Sequence, residues 1–151
     1  MRVYLDVCCL NRPFDDQSHD KVRLEAEAVI SILRRCERGE WELIGSDIIR
    51  LEITKNRDNV KRLKVLLLYE GITEEIKYNY QIKARAAQLQ KHGMKLFDSL
   101  HLAFAEYAIA DVFLTTDTRL LKSSVRSNIR IRVDNPMNFY MEVLNYEQSG
   151  D

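Results

Sequence analysis

The sequence predicts an α/β fold: a three-layer α/β/α sandwich around a mostly parallel, roughly five-stranded sheet. Short apolar segments that suit strands alternate with longer segments whose apolar residues recur at helical spacing. One short segment, 112–116, is almost wholly apolar, which is typical of a buried parallel strand. The 151 residues match the size of one domain, so residues 1–146 are predicted to form it, followed by a tail at 147–151.

The composition is that of an ordinary globular protein, with 46% hydrophobic and 30% charged residues. The longest apolar runs, such as 65–68, are too short to cross a bilayer, and charges interrupt the N-terminus where a signal peptide would be apolar. The three cysteines lack the spacing of paired metal ligands. We therefore expect reduced thiols, a cytoplasmic location and no membrane partner.

The chain begins with a strand that stops on a carboxylate. Residues 1–5 are apolar, aromatic and β-branched apart from Arg2, and Asp6 follows them. Turn formers fill residues 7–16, so Asp6 is predicted to lie at the carboxyl end of this strand. A long helix is predicted after His19 or Asp20, and Gly39 ends it.

A second strand and two helices are predicted next. Residues 41–45 form the strand, and Ser46 or Asp47 is a natural N-cap for the helix that carries Glu52. After a break at residues 56–58, a further helix is predicted from its apolar stripe of Val60, Leu63 and Leu67.

The next predicted elements are a short strand at residues 71–76 and two helices. The first helix ends at His92–Gly93 and carries a stripe of Tyr78, Ile82, Ala86 and Leu89. The second spans 96–108, with Asp98 in its first turn, and its predicted buried stripe is Phe97, Leu100, Phe104 and Tyr107.

Two strands and two helices complete the chain. The apolar strand at residues 112–116 ends on Asp117, and a short helix begins at Thr118. Ile129, Ile131 and Val133 alternate with arginines, which predicts a half-exposed edge strand. Asn135–Pro136 is a helix start, because Asn caps a helix well and Pro suits its first position.

Four acids are predicted to meet at the carboxyl edge of the sheet. Asp6 and Asp117 each follow a strand, and Glu52 and Asp98 lie early in helices that begin near the same edge. Each alone could cap a helix, favour a helix dipole or lie solvated at the surface. Together they would repel one another unless a cation neutralised them, and carboxylates without cysteine or histidine suit Mg²⁺ or Mn²⁺.

Two basic segments point to a phosphate-bearing partner. The net charge is +0, but residues 77–97 and 118–133 each contain five basic residues and no acid. For a single Lys or Arg a solvated helix face is the simpler interpretation, whereas two such segments in one small domain favour nucleic acid.

Several motifs, in their order, resemble the PIN-domain nucleases, above all the toxin subunits of VapBC type II toxin–antitoxin systems. The motifs are Tyr4-Leu-Asp6, Ser46 with Glu52, Phe97-Asp-Ser-Leu-His-Leu-Ala103, Leu114-Thr-Thr-Asp117 and Val133-Asp-Asn-Pro136. The resemblance extends over essentially the whole chain. It implies an endoribonuclease that hydrolyses RNA with Mg²⁺ or Mn²⁺, most simply with two ions, and a homodimer inhibited by a small antitoxin protein.

By the same resemblance, the four acids (Asp6, Glu52, Asp98 and Asp117) would be the catalytic metal ligands. Supporting roles are predicted for Thr116, Cys8 and Asn11, although a thiol at position 8 departs from the Asn or Ser common in the family. Substrate contacts are predicted for Arg12, Arg119 and Lys122, and for Arg12 a structural loop is the simpler alternative. His101 lies within reach of Asp98 on one helix, but an interior histidine is the favoured interpretation.

Other functions remain open. A PIN-like module could bind RNA or protein without cleaving, but all four acids are present; a stand-alone nuclease could act in RNA processing. A haloacid-dehalogenase phosphatase would need an acid where Cys8 stands, and a receiver domain would need a strand-end lysine that is missing. A metal-free ribonuclease would need paired histidines, and the three histidines are not predicted to converge.

Overall fold

A computed structural model describes residues 1–150 and contains a five-stranded sheet in which every strand pairing is parallel. The strands are β1 (Arg2–Leu5), β2 (Glu42–Ser46), β3 (Glu74–Ile76), β4 (Val112–Leu114) and β5 (Arg132–Asp134). Their order across the sheet is β3-β2-β1-β4-β5, so the arginine-rich strand is an edge strand as predicted. The predicted α/β fold with five strands is confirmed.

The strand order reverses direction at β1, the central strand. The chain adds β2 and β3 on one side of β1 and then returns to add β4 and β5 on the other. Tyr4 pairs in register with Ile44 on one side and with Phe113 on the other. The carboxyl ends of β1 and β4 therefore flank a topological switch point, which is where open α/β sheets bind ligands.

Eight helices connect and cover the strands. They are α1 (Val7–Asn11), α2 (Asp20–Glu37), α3 (Asp47–Thr54), α4 (Asn59–Tyr69), α5 (Tyr80–Lys91), α6 (Leu96–Tyr107), α7 (Thr118–Arg126) and α8 (Pro136–Ser149). A 3₁₀ turn at Arg12–Phe14 follows α1. Contacts between helices fall into two main groups, α2 with α8 and α5 with α6, and α3 packs against α6.

Polar side chains start the helices where the sequence predicts. Ser46 accepts a hydrogen bond from the backbone N–H of Ile49 and so caps α3. Asn135 accepts one from Met137 at the start of α8, whose first residue is Pro136. Gly39 follows α2 with a φ of 78°, a left-handed conformation that suits glycine after a helix.

The apolar stripe predicted for α4 faces solvent. The helix forms where expected, but Val60, Leu63 and Leu67 are 62%, 60% and 66% exposed. The buried residues of α4 are Val65 and Tyr69 instead. The prediction failed because α4 has apolar residues on two faces, and helical spacing alone does not choose between them.

The stripe predicted for α6 is wrong in part. Phe104 is buried, whereas Phe97 and Leu100 are half-buried and Tyr107 is 46% exposed. The residues of α6 that are fully buried are mostly smaller: Ser99, His101, Leu102, Ala103 and Ala105. Small side chains let a helix lie close to its neighbours, so the large aromatic residues are displaced to the margins of the contact.

The last helix extends into the predicted tail, since α8 continues through Glu147 to Ser149. Glu147 forms a salt bridge of 2.5 Å with Arg35 of α2, which attaches this end of α8 to the rest of the domain.

Within residues 1–150, none of the helices has the length and apolar character needed to cross a membrane.

Candidate active site

The four predicted acids are placed by four different elements at the carboxyl edge of the sheet. Asp6 follows β1 and is the N-cap of α1, and Asp117 follows β4 and is the N-cap of α7. Glu52 lies in α3, and Asp98 lies in the first turn of α6.

Asp6 is buried and firmly oriented. One carboxylate oxygen, Oδ1, accepts a hydrogen bond of 2.8 Å from the backbone N–H of Val7. The other, Oδ2, accepts one of 2.8 Å from the hydroxyl of Thr115 and a longer one of 3.4 Å from the thiol of Cys8. The Cys8 thiol therefore contacts the first acid, and the supporting role predicted for it stays a prediction.

The hydroxyl that links the two strand-end acids belongs to Thr115, not to the predicted Thr116. Thr115 Oγ1 donates to Asp6 and accepts a hydrogen bond of 3.1 Å from the backbone N–H of Asp117. Thr116 instead donates its backbone N–H to the Cys8 sulfur at 3.3 Å. Phe113 pairs with Tyr4, and Thr115 and Asp6 come two residues later in their segments, so alternation puts them on the same side. The alternation is visible in the sequence, but the pairing is not.

Glu52 and Asp6 meet at the ring of His101. Nε2 of His101 lies 2.7 Å from Oε1 of Glu52 and 3.8 Å from Oδ1 of Asp6. One potential ligand atom from each of these three residues lies within 4.8 Å of the other two. The sequence placed His101 near Asp98 but did not bring it to Glu52, because their contact depends on how α3 and α6 pack.

The other ring nitrogen of His101 is bound by a buried tyrosine. Nδ1 lies 2.7 Å from the hydroxyl of Tyr4, which in turn lies 2.8 Å from the hydroxyl of Ser46. Tyr4 precedes Asp6 by two residues on β1, and its ring stacks on Phe113 of β4 at 5.2 Å. The sequence places Tyr4 in the first strand and in the motif that ends at Asp6, but it does not reveal these polar contacts.

The surroundings of Asp98 raise the pKa of its carboxyl group. Burial raises the pKa of the Asp98 carboxyl, and the negative charges of Asp6, Asp117 and Glu52 raise this pKa further. The pKa of His101 is also raised. Burial lowers this pKa, but the hydrogen bond with Glu52 and the negative charge of Asp6 outweigh burial, so the cationic form of the ring is favoured. The site therefore carries excess negative charge.

The donor set fits a hard divalent cation. Among residues 1–150 the ligand atoms that lie close together are carboxylate oxygens of Asp6 and Glu52 and a ring nitrogen of His101, and carboxylate oxygens suit Mg²⁺ or Mn²⁺. Burial and, after it, the charges of Asp6, Asp117 and Glu52 raise the pKa of Asp98, and a divalent cation bound beside these acids would favour its ionised form.

Two of the predicted supporting and substrate residues lie apart from this centre. Asn11 is the last residue of α1, and its side chain makes no hydrogen bond to the acids within residues 1–150. Arg12 is bound in ion pairs with Glu25 and Asp15, each at 3.0 Å. The guanidinium of Arg12 is therefore engaged within the domain, and its contact with substrate stays a prediction.

The basic segments are partly neutralised inside the domain. Arg85 pairs with the buried Glu106, and Arg132 pairs with Asp134 and Glu142. The basic residues of α7 remain exposed: Arg119, Lys122 and Arg126. They are spaced three and four residues apart, so they share one face of a helix that begins at Asp117.

The fold resembles that of solved structures. A chain of the VapBC2 complex from Rickettsia felis, bound to a DNA fragment from its promoter, is 13% identical with a TM-score of 0.61, covering 89% of this chain and 98% of that one. A chain of VapBC-1 from nontypeable Haemophilus influenzae is 18% identical with a TM-score of 0.59, covering 90% and 98%. A chain of DNA-bound VapBC from Salmonella typhimurium is 15% identical with a TM-score of 0.55, covering 90% and 98%.

No protein-family model and no curated protein matches the sequence. At these levels of identity the structural likeness concerns the fold. It confirms the resemblance in fold to VapC-type PIN domains that the sequence motifs predicted.

Proposed function

We propose that this protein is an Mg²⁺- or Mn²⁺-dependent endoribonuclease that acts as the toxin of a toxin–antitoxin pair. The observation that carries the proposal is the meeting of Asp6, Glu52 and His101 at the switch point of the sheet, where the charges of Asp6, Asp117 and Glu52 also raise the pKa of Asp98. The likeness of the fold to chains of VapBC complexes supports the same proposal.

The four acids would hold the ions, most simply two of them, at the edge of the sheet. When bound, such ions would activate water and stabilise the leaving oxygen in phosphodiester hydrolysis. The role of the chain itself is orientation: Thr115 and the backbone of Val7 fix the Asp6 carboxylate, and Thr115 also connects it to the start of α7.

RNA is the proposed substrate, and the exposed basic face of α7 would bind its phosphates. Arg119 and Lys122 were predicted to contact substrate, and Arg126 continues the same face away from Asp117. Such contacts are electrostatic and independent of sequence, so they would position the strand beside the acids without choosing a target.

The first experiment measures cleavage of a labelled RNA pool by the purified protein. We expect excess chelator to abolish cleavage and Mg²⁺ or Mn²⁺ to restore it. Asp6→Asn should lower the rate by more than about 100-fold, because even changes outside the ligand shell cost about 10–100-fold. Asparagine is nearly isosteric and also caps helices well, so the fold should survive.

Asp20→Asn is the matched control for this substitution. Asp20 has an 84% exposed side chain in the first turn of α2, and its change should leave the rate intact. Cleavage that continues in excess chelator, or Asp6→Asn at the wild-type rate, would contradict the metal mechanism.

The proposed partners are a small antitoxin protein and a second copy of the chain. The support for an antitoxin is that the structural neighbours were solved as VapBC complexes. Expression of the chain alone in a bacterial host should arrest growth, expression of Asp6→Asn should not, and a cognate antitoxin should relieve the arrest. Sedimentation of the purified protein tests the homodimer.

A further inference from the structure

A buried line of hydrogen-bonded side chains ends on Glu52, and it consists of Ser46, Tyr4 and His101. We infer that His101 is a positioning residue that holds the Glu52 carboxylate toward the acid cluster, and that Tyr4 and Ser46 hold His101 in the orientation this requires. The inference rests on the proposed function, because Glu52 matters there as a metal ligand.

The hydrogen bonds of this line can all run in one direction. If Nε2–H of a neutral His101 donates to Glu52, then Nδ1 is an acceptor and receives the hydroxyl proton of Tyr4. The Tyr4 oxygen then receives the hydroxyl proton of Ser46, whose oxygen accepts the backbone N–H of Ile49. Every polar atom in the line has a partner.

The donor to Glu52 does not depend on the charge of the ring. In the imidazolium form both nitrogens donate, and Tyr4 then donates to Ser46 instead of accepting from it. In either form the proton on Nε2 points at Glu52. The line therefore fixes Glu52 through the same atom whether or not a cation is bound nearby.

Burial makes this arrangement rigid. Tyr4 and Ser46 are 0% exposed and His101 is 1% exposed, so water cannot replace the hydrogen bonds that they make to one another. A buried polar group left without a partner is costly, which restricts the ring of His101 to one orientation. The Glu52 side chain is 23% exposed, so it lies between this line and solvent.

The line also connects the elements that carry the acids. Ser46 caps α3, the helix that bears Glu52, and His101 lies one turn after Asp98 on α6. Tyr4 lies on β1, which leads to Asp6. The contact of 2.7 Å between His101 Nε2 and Glu52 Oε1 is a hydrogen-bond distance, and an ionised Glu52 can only accept. On this inference Nε2 carries the proton, and His101 is a neighbour of the metal ligands instead of one of them.

The first test is the affinity of the intact protein for Mn²⁺ and Mg²⁺, measured by calorimetry without RNA. His101→Leu should weaken binding by roughly 10–100-fold, the usual cost of losing a group that orients a ligand. His101→Gln should recover most of the affinity, because its side-chain amide can donate to Glu52. Equal affinity of His101→Leu and wild type would overturn the inference.

Two tyrosine variants test whether metal affinity depends on the hydrogen bonds of this line or only on the packing around it. Tyr4→Phe removes only the hydroxyl that binds His101, and we expect roughly tenfold weaker metal binding. Tyr69→Phe is the matched control, because the Tyr69 hydroxyl contacts the backbone N–H of the same Ser46 at 3.0 Å but is not bonded to His101. Equal effects of the two variants on metal affinity would overturn the inference.

The second test observes the protonation of the His101 ring nitrogens by ¹⁵N NMR of the histidine side chain. We expect the Nε2 proton of His101 to be present in the metal-free protein and to remain when Mg²⁺ is added. Its loss on addition of Mg²⁺ would mean that Nε2 ligates the ion, and that would overturn the positioning role. Failure of the wild-type protein to bind either cation would instead overturn the proposed function, and the inference with it.

Discussion

The carboxylate of Asp98 lowers the stability of the metal-free protein, and a cation bound beside it would offset this loss. The Asp98 carboxyl is partly buried among three other acids, and burial followed by their negative charge raises its pKa. A raised carboxyl pKa means that the folded state binds the proton more tightly than the unfolded chain does. The ionised form of Asp98 therefore destabilises the fold at neutral pH.

Replacing Asp98 should stabilise the metal-free protein. We expect Asp98→Asn to raise the midpoint of thermal unfolding at pH 7 in the presence of chelator. The stabilising effect of the protonated carboxyl is fully present below the unfolded pKa of about 3.9 and is lost as the pH rises through the raised folded value. The difference between the variant and wild type should therefore be smaller at pH 4 than at pH 7.

Saturating Mg²⁺ or Mn²⁺ should reverse the order, because wild type binds the cation more tightly and gains more stability from it. If Asp98→Asn unfolded at a lower temperature than wild type in chelator at pH 7, the charge of Asp98 would not be the destabilising factor.

At the scale of residues, the role of Thr115 could not be predicted from the sequence. Asp6 and Asp117 were predictable because each follows an apolar strand, and Asp98 because it lies in the first turn of a helix. Glu52 was predictable only from its distance after the cap at Ser46, since it lies near the end of α3. The choice between Thr115 and Thr116 depended on which face of β4 each occupies. That follows from the pairing of β4 with β1, which only the structure supplies.

The exposed face of α4 shows the same limit at the scale of elements. The existence and approximate bounds of the helix were predictable from periodicity and from the break before it. Its orientation was not, because an apolar stripe on one face competes with another on the opposite face. Burial of Val65 and Tyr69 settles the orientation through contacts of α4 with α1 and α3.

Substitutions on the two faces of α4 should therefore differ in cost. Leu63→Lys should change the free energy of unfolding by less than about 0.5 kcal/mol, because Leu63 is 60% exposed and lysine is an equally good helix former. Val65→Ala should cost about 1–2 kcal/mol, because Val65 is 1% exposed and the cavity outweighs the better helix propensity of alanine.

Urea unfolding of both variants measures this difference. A loss for Leu63→Lys as large as that for Val65→Ala would mean that the exposed face is covered in the native protein, for example by a second copy of the chain.

At the scale of the whole molecule, a buried carboxylate joins distant parts of the chain. Glu25 of α2 is 0% exposed and binds Arg12 at 3.0 Å and the side-chain amide of Asn135 at 2.5 Å. Arg12 belongs to the 3₁₀ turn after α1, and Asn135 caps α8. The 3₁₀ turn after α1 is thus connected through α2 to the start of the last helix.

Breaking this connection should destabilise the fold. Arg12→Met leaves the Glu25 carboxylate buried without its cationic partner, and we expect a loss of about 3 kcal/mol in the free energy of unfolding. Adding Glu25→Gln should recover part of that loss, because the charge is then absent. Denaturant unfolding of the single and double variants measures the coupling, and additive losses would contradict it.

The fold as a whole was more predictable than its internal contacts. Alternating strand and helix patterns gave all five strands, and the acids indicated which edge of the sheet carries the site. The pairing of Arg12 with Glu25, and that of Tyr4 with His101, could not be predicted in the same way. Such pairs join segments whose separation in sequence contains no information about their contact in space.

The order of the four acids along the chain has a consequence during translation. Asp6 is made first, and Glu52, Asp98 and Asp117 follow at intervals across most of the sequence. A nascent chain on the ribosome lacks the later carboxylates until β4 and the start of α7 have been synthesised and β4 has paired with β1. If the protein is the ribonuclease proposed above, it would stay inert beside its own messenger until Asp117 has been synthesised and β4 has paired with β1.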